Sequence, residues 1–291
     1  MNINHLRYFD AVCRYQSVTR AAQYCFVSPP SVTSAIHSLE KELNYKLFDR
    51  KGNRMTLTPE GEAFRDVNAS FLIQFSDFEK QSHEIAAANY ERLRFSIPPG
   101  IMGCYFIERI YPDFKRLYPN IHLYLAEYGT MTGKRELGNA DLDLVLGIDD
   151  GDPLPEWMDS IHLFDAELQL AVNRAHPFAG KSFVTKEMIE PIPLIIMVKG
   201  TWHYAMSMRM FSGMHPNIIM EAAQIQAVTH MLHLNMGAVV IFHKVFEKDE
   251  DIVCIPFQEK LIAPVYLYWR KNGYQTRAMK MMISYLTGLT Y

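Results

Sequence analysis

Apolar residues recur along this chain with changing periods, and each period predicts a different element. Near the start, Leu6, Phe9, Ala11, Val12 and Tyr15 follow a helical pattern that a polar step at Gln16-Ser17 interrupts. VTRAAQYCF then predicts a second short helix, capped by Ser17 or Thr19, whose Ala21, Ala22 and Cys25 are small enough for close helix packing. After a turn at Phe26 to Ser28, Val32, Ile36, Leu39 and Leu43 recur at spacings of four, three and four, one buried stripe of a third helix. Ser28 is a strong N-cap, and Pro29 falls at the first helical position, where its missing N–H costs nothing, so this helix has a fixed start. Next, Leu47 and Phe48 precede the turn chemistry of Lys51-Gly52-Asn53-Arg54, and Met55 and Leu57 alternate with Thr56 and Thr58, which predicts a two-stranded wing. Two short helices, a tight turn, a third helix and a wing form a winged helix-turn-helix, whose third helix is built to enter a major groove.

A longer period follows. Thr58 caps a second proline-started helix, and along it Phe64, Phe71, Phe78 and Ile85 fall seven apart with Val67 and Phe75 between them. Sustained heptad spacing predicts a long helix over residues 59–90 that pairs with another helix. From residue 91 the pattern alternates between strands and helices. LRFSI, a helix bearing Phe106, Ile107, Ile110, Phe114 and Leu117, IHLYLAE, a short helix to Leu137 and DLDLVLGI read as successive βαβ units. Separate strands are predicted at LQLAVN, PLIIMV, NIIMEA, AVVIF, IVCIPF and PVYLYW, with helices at Ala227 to Leu234 and Thr276 to Leu289. The fold class is therefore α/β behind a mainly α-helical head.

Charge sharpens the division. The whole chain carries a net −3, yet residues 1–58 hold eight bases against four acids, a net +4, and the remainder nets −7. A basic head on an acidic body suits a nucleic-acid-binding module fused to something else. Arg50, Lys51 and Arg54 sit at the wing tip, where they can reach phosphates, and the third helix offers Ser31, Thr33, Ser34, His37, Ser38 and Lys41 on its polar face. The N-terminus has no signal-peptide pattern and no apolar run of membrane length occurs, so a cytoplasmic protein without membrane contact is expected. Cys13, Cys25, Cys104 and Cys254 show no ligand or redox-motif spacing. Histidines 203, 215, 230 and 233 lack a carboxylate or thiolate at matching spacing, so no metal and no cofactor are expected. There is no phosphate loop, nucleophile elbow or HExxH motif, and hence no support for an enzyme.

The motifs Leu6-Arg7-Tyr8-Phe9, Ser17-Val18-Thr19-Arg20-Ala21-Ala22, Leu39-Glu40-Lys41-Glu42-Leu43, Leu47-Phe48-Asp49-Arg50 and Leu57-Thr58-Pro59-Glu60-Gly61 resemble, in order and spacing, the LysR-type transcriptional regulators of bacteria. The resemblance continues more weakly through Tyr118-Pro119-Asn120-Ile121, Leu142-Asp143-Leu144, His176-Pro177 and Met236-Gly237, and so spans essentially the whole chain. It implies a winged helix-turn-helix over 1–58, a dimerising linker helix over 59–90 and a periplasmic-binding-protein-like effector domain over 91–291. In that domain, subdomain I would comprise 91–161 and 266–291 and subdomain II 162–265, with crossings near Asp159 to His162 and Ile262 to Val265.

The resemblance also assigns roles. DNA binding falls to Arg20, Ser28, Pro30, Ser31, Thr33, Ser34, His37, Arg50, Lys51 and Arg54, and dimerisation to Phe64, Val67, Phe71, Phe75 and Phe78. A small-molecule effector would meet Pro98, Pro99, Gly100, Ile101, Thr130, Ile148, Thr201 and His203. Implied partners are double-stranded DNA with an inverted-repeat operator, an effector, further copies of the chain as homodimer or homotetramer, and RNA polymerase. Two departures matter. Pro29 stands where relatives commonly carry glutamine and Ser34 where many carry arginine, so base reading shifts to Ser31, Thr33, Ser34 and His37. Relatives often carry a hydroxyl at the positions of Pro98 or Gly100; here the main-chain N–H groups of Gly100 and Ile101 are left to meet an anion. The rival readings are a solute-holding protein that does not read DNA sequence, and a DNA-binding protein indifferent to ligand.

Overall fold

The computed structural model describes residues 1–51, 54–86, 91–149, 151–199 and 201–289, and leaves out the side chains of Arg50, Lys51, Arg54, Ala86 and residues 102–105. The chain divides into two compact units, Met1–His83 and Glu84–Tyr291.

In the first unit α1 spans Ile3–Tyr15, α2 Val18–Tyr24 and α3 Pro29–Leu43. Each start is fixed by a side chain: Asn2 Oδ1 accepts from the Asn4 amide at 2.9 Å, Ser17 Oγ from Arg20 at 3.4 Å and Ser28 Oγ from Ser31 at 3.3 Å. Ser17, not Thr19, is thus the cap of α2. Phe9, Val12, Ala21, Ala22, Val32, Ile36 and Leu39 close one core, with Leu43 at its margin. The wing pairs β1 (Phe48–Lys51) with β2 (Arg54–Leu57), Phe48 opposite Leu57 and Lys51 opposite Arg54. The turn residues Gly52 and Asn53 lie outside the described part.

Two buried polar groups tie the wing to the helices. Glu40 on α3 accepts from Lys46 Nζ at 2.8 Å and from the Leu47 amide at 3.0 Å. Thr58 donates to the Lys46 carbonyl at 2.7 Å while its Oγ1 caps the next helix by accepting from Gly61 at 2.9 Å. That helix, α4, runs Pro59–Ala86; the remainder of the expected linker, residues 87–90, lies outside the described part.

The second unit is built on a mixed sheet. Among the described residues the strand order is β4-β3-β5-β10-β6-β9, where β3 is Glu91–Ile97, β4 Ile121–Glu127, β5 Leu144–Ile148, β6 Met158–Asn173, β9 Val239–Phe242 and β10 Ile252–Arg270. β3, β4 and β5 are parallel, and every residue of β5 is buried, as a strand covered on both faces requires. β7 (Leu194–Met197) and β8 (Ile218–Ala222) form a smaller parallel pair. The helices are α5 (Tyr111–Leu117), α6 (Thr130–Gly138), α7 (Lys186–Ile189), α8 (Trp202–Met210), α9 (Ile225–His233) and α10 (Arg277–Thr287).

Two expectations are corrected here. The segment Met102–Ile110 opens as a π-helix before α5 rather than as one α-helix. IVCIPF and PVYLYW are not separate strands but parts of the nineteen-residue β10, whose register against β6 jumps between Pro256 and Leu261. The expected crossings near Asp159 to His162 and Ile262 to Val265 fall inside β6 and β10, which run antiparallel side by side and shift register again at Val265/Tyr266. Continuous paired strands carry the chain through both places.

Candidate functional site

The start of α3 presents a polar face on which most hydroxyls are already engaged. Ser28 and Ser31 share a hydrogen bond at 2.8 Å, Thr33 Oγ1 donates to the Pro29 carbonyl at 3.2 Å and Ser38 Oγ to the Ser34 carbonyl at 2.9 Å. The Ser34 hydroxyl is exposed with no partner among the described residues, and His37 meets Glu40 only at 3.6 Å. Pro30 is exposed on the same first turn, and the exposed Arg20 guanidinium has no counter-charge among the described residues. The face thus offers free donors at Ser34, His37 and Arg20. Arg50, Lys51 and Arg54 lie on the paired strands of the wing, but their side chains are outside the described part.

Glu40, which supports this face from beneath, was missed as a buried group because EKEL reads as a charged helix end. Burial pushes its carboxyl up, but hydrogen bonds from Lys46 and from the Leu47 and Phe48 amides, with the Lys46 charge, outweigh that and hold it below the usual glutamate range.

Along α4, Val67, Phe71, Phe78 and Ile85 are exposed apolar residues, 45% exposed at Phe71 and 63% at Phe78. Phe71, Phe75 and Phe78 form a row of rings with centroids 6.2 Å apart. Phe75 is half-buried, with the Arg7 guanidinium 5.6 Å from its ring centre. Phe64 departs from the expected seam: its ring packs edge-on against Phe9 at 5.0 Å, within the core of its own head. Heptad spacing cannot distinguish the two, because the first turns of α4 also face α1, where Asn68 donates to the Leu6 carbonyl at 3.2 Å.

In the second unit the fold gathers Pro98, Pro99, Gly129, Thr130, Ile148, Met197, Thr201, Trp202, His203 and Ile225 around a cavity of about 40 Å³. Six of the expected effector contacts are among these: Pro98, Pro99, Thr130, Ile148, Thr201 and His203. Gly100 and Ile101 are not among the described residues that line it. Pro98 to Ile101 forms a turn closed by the Ile101 amide donating to the Pro98 carbonyl at 3.2 Å, with Pro99 and Gly100 (φ +85°) at the two central positions of a type II turn. The Ile101 N–H is spent, and its side chain is buried.

The cavity wall is tightly specified. Thr130 Oγ1 accepts from the Ile148 amide at 2.9 Å, and Gly147 lets Thr130 approach, since a Cβ there would lie 2.9 Å from Thr130 Cγ2. Thr201 caps α8, accepting from Tyr204 at 3.2 Å and donating to the Val198 carbonyl at 2.8 Å. Trp202 donates from Nε1 to the Asp149 carbonyl at 2.8 Å. His203 Nε2 is buried with no hydrogen-bond partner among the described residues, and burial lowers the imidazole from its ordinary 6.5 to about 4. Trp202 also lines a larger open groove of about 840 Å³ in which Lys186, Glu187, Arg209 and Glu259 bring charge; the sequence reading missed it.

Residues 87–289 match the family model described as LysR substrate binding domain, and residues 3–62 that of the bacterial regulatory helix-turn-helix protein, lysR family. The chain belongs to the LysR family. It is a LysR-type DNA-binding transcriptional regulator with an effector-binding domain. Its relatives include the HTH-type regulator YwbI of Bacillus subtilis, 26% identical over 98% of this chain and 95% of the relative. The hydrogen peroxide-inducible genes activator of Pectobacterium carotovorum is 23% identical over 91% and 90%. Among solved structures, a full-length single-residue variant of OxyR from Pseudomonas aeruginosa aligns over 100% of this chain and 99% of its own with a TM-score of 0.67 and 21% identity. Full-length CbnR in complex with its target DNA aligns over 98% and 99% with a TM-score of 0.63 and 17% identity, so the LysR fold is shared end to end.

Elsewhere, the expectation of no metal-compatible spacing missed one juxtaposition. His233 Nε2 meets Asp249 Oδ2 at 2.8 Å, and Asp251 brings a further carboxylate so that the three ligand atoms lie within 4.8 Å of one another. The pairing crosses sixteen residues of sequence, beyond the reach of a spacing argument. Cys13 and Cys254 have thiols pushed up to about 12 by burial, which suits inert core residues. Among the described residues no helix is long and apolar enough to cross a membrane.

Proposed function

We propose that this LysR-type regulator is a cytoplasmic protein without enzymatic activity that reads an inverted-repeat operator in double-stranded DNA as a homodimer or homotetramer. A small molecule held in the cavity around Thr130, Thr201 and His203 modulates it, and RNA polymerase is its further partner. In this reading residues 1–58 bind DNA, 59–90 pair two copies and 91–291 hold the effector, with 91–161 and 266–291 on one side of the cavity and 162–265 on the other. Ser34, His37 and Arg20 on the head, with Arg50, Lys51 and Arg54 on the wing, meet DNA; Val67, Phe71 and Phe78 form the seam between copies. Effector binding shifts an equilibrium between two arrangements of the assembly by its differential affinity for them.

The observation that carries this reading is the exposed face of α3, where a fixed helix start, exposed donors at Ser34 and His37 and an Arg20 without counter-charge among the described residues stand together in a basic head. The exposed Phe71 and Phe78 support two-fold pairing, since large apolar side chains seven apart on one helix call for a second helix. The test is selection of sheared genomic DNA by the purified full-length protein at near-physiological salt. Enrichment of a few intergenic fragments sharing an imperfect inverted repeat is expected. Uniform recovery would overturn sequence reading and favour the solute-holding rival.

A further inference from the structure

The turn between α2 and α3 holds an aromatic residue in a backbone conformation that suits glycine. α2 closes with two hydrogen bonds, the Phe26 amide donating to the Gln23 carbonyl at 3.2 Å and the Val27 amide to the Ala22 carbonyl at 3.0 Å. In this helix ending the residue after the cap turns left-handed, and glycine or asparagine commonly occupies it. Here it is Phe26, with φ +55°. The other described non-glycine residues with positive φ are Gln16, Asn44, Ala140 and Asn235, so Phe26 is the one aromatic among them, at a conformation where a Cβ crowds the backbone. No contact within the fold offsets that strain, because the Phe26 side chain is 95% exposed. Val27 packs inward on the core that contains Ala22, the apolar contact that completes this ending, and Phe26 is left outside. The exposed rings next to it in sequence are engaged: Tyr15 and Tyr24 lie 5.3 Å apart, and the Arg14 guanidinium is 5.9 Å from the Tyr24 ring centre. A single exposed apolar side chain is ordinary, but one displayed from a strained position at the entry to α3 calls for a partner.

What that partner is follows from α3. Phe26 stands two residues before Ser28, the cap of α3, and the first turns of such a helix are the part that meets base edges when it enters a major groove. The head around it is basic, and Arg20 is exposed on α2. The apolar feature that a base edge offers in a major groove is the thymine methyl. We propose that Phe26 is a DNA-contacting residue whose ring packs on the methyl of one thymine in each half-site, beside the base pairs reached by Ser34 and His37. This rests on the reading of α3 as the helix that enters the groove. The contact adds discrimination that short polar side chains do not supply, and the apolar area it removes from water offsets the strain at Phe26.

The experiment uses the full-length protein and a duplex carrying the inverted repeat that wild type selects from genomic DNA. Each thymine is replaced in turn by uracil, which keeps the base pair and removes the methyl, and Kd is measured for wild type and Phe26→Asn. Asparagine tolerates the left-handed backbone, so thermal unfolding of the variant should stay level or rise by a few degrees. In wild type one thymine position per half-site should stand out. Uracil there should weaken binding about fourfold, as expected for one methyl group removed from water, and roughly fifteenfold when both half-sites carry it. Phe26→Asn should bind the thymine duplex about fifteenfold more weakly and respond less than about twofold to uracil at that position. Its log–log salt slope should match that of wild type, since no phosphate contact is lost. A wild type with no uracil-sensitive position, or undiminished sensitivity in Phe26→Asn, would overturn the contact. Wild-type affinity in the variant would also overturn it and give the exposed ring to a protein partner. A lower unfolding temperature with uniformly weaker binding would make Phe26 a support of α3 and overturn its reading of thymine. If wild type selects no repeat at all, the operator reading falls first and the thymine contact with it.

Discussion

The face of α3 and the cavity around His203 are made from the same kinds of short polar side chain, put to opposite use. On α3 the hydroxyls of Ser28, Ser31, Thr33 and Ser38 are closed on their own helix, and what remains, at Ser34 and His37, is open to water. In the cavity Thr201 and Thr130 are likewise held by backbone groups, but the remainder, His203 Nε2, is covered. Water satisfies an exposed donor at no cost, whereas a covered one keeps its full desolvation penalty. The first site is therefore ready for any partner that offers acceptors, and its affinity must come from charge nearby. The second rewards any partner group that can reach the covered nitrogen.

The largest expected effect concerns the pairing on which the head depends. Phe71→Glu with Phe78→Glu should lower affinity for an inverted repeat by about a hundredfold or more, since the second half-site then binds without the benefit of high local concentration. Sedimentation should show single copies, and an unchanged assembly would remove these residues from the seam. Next is acid stability. Because His203 falls from 6.5 to about 4, the unfolded chain takes up a proton that the folded chain refuses. Stability is full above about pH 6.5 and declines as pH falls toward 4, by roughly 2–3 kcal/mol from this residue. Urea midpoints for His203→Phe should fall less steeply over that window than those of wild type.

On the DNA side, Ser34→Ala should cost about 1 kcal/mol of discrimination between the selected repeat and unrelated DNA, while Thr33→Ala, whose hydroxyl is spent on Pro29, should cost less. Competition binding measures both, and equal losses on the two DNAs would break the assignment. The smallest effect is that of Arg54→Ala, which should reduce the log–log salt slope by about one with little change in discrimination.

How much of this was legible varied with the reach of the signal. Ser28 before Pro29 announced the start of α3, and the alternation of Met55 and Leu57 with Thr56 announced the wing, because a cap and a hairpin are set by adjacent residues. Type II turn chemistry at Pro99-Gly100 was equally local, yet its consequence, the loss of the Ile101 amide as an anion donor, needed the turn's hydrogen bond. The long strands were read as pieces because Pro256, Pro264 and the polar Gln258-Glu259-Lys260 look like breaks; β10 absorbs them in a register jump. The spending of Phe64 on Phe9, the burial of Glu40 and the meeting of His233 with Asp249 depend on which element comes alongside. No periodicity carries that information. The cavity residues were reached through resemblance, while the covered state of His203 Nε2 emerged only from packing.

The most direct test of the division between charge and reading is the salt dependence of full-length protein on its selected repeat and on unrelated DNA of equal length. The account predicts two log–log lines of similar slope, set by phosphate contacts, and offset by about a thousandfold or more in affinity at every salt concentration. Lines that converge and meet as salt rises would contradict it, for then the preference would itself be electrostatic and the short polar face of α3 would read nothing.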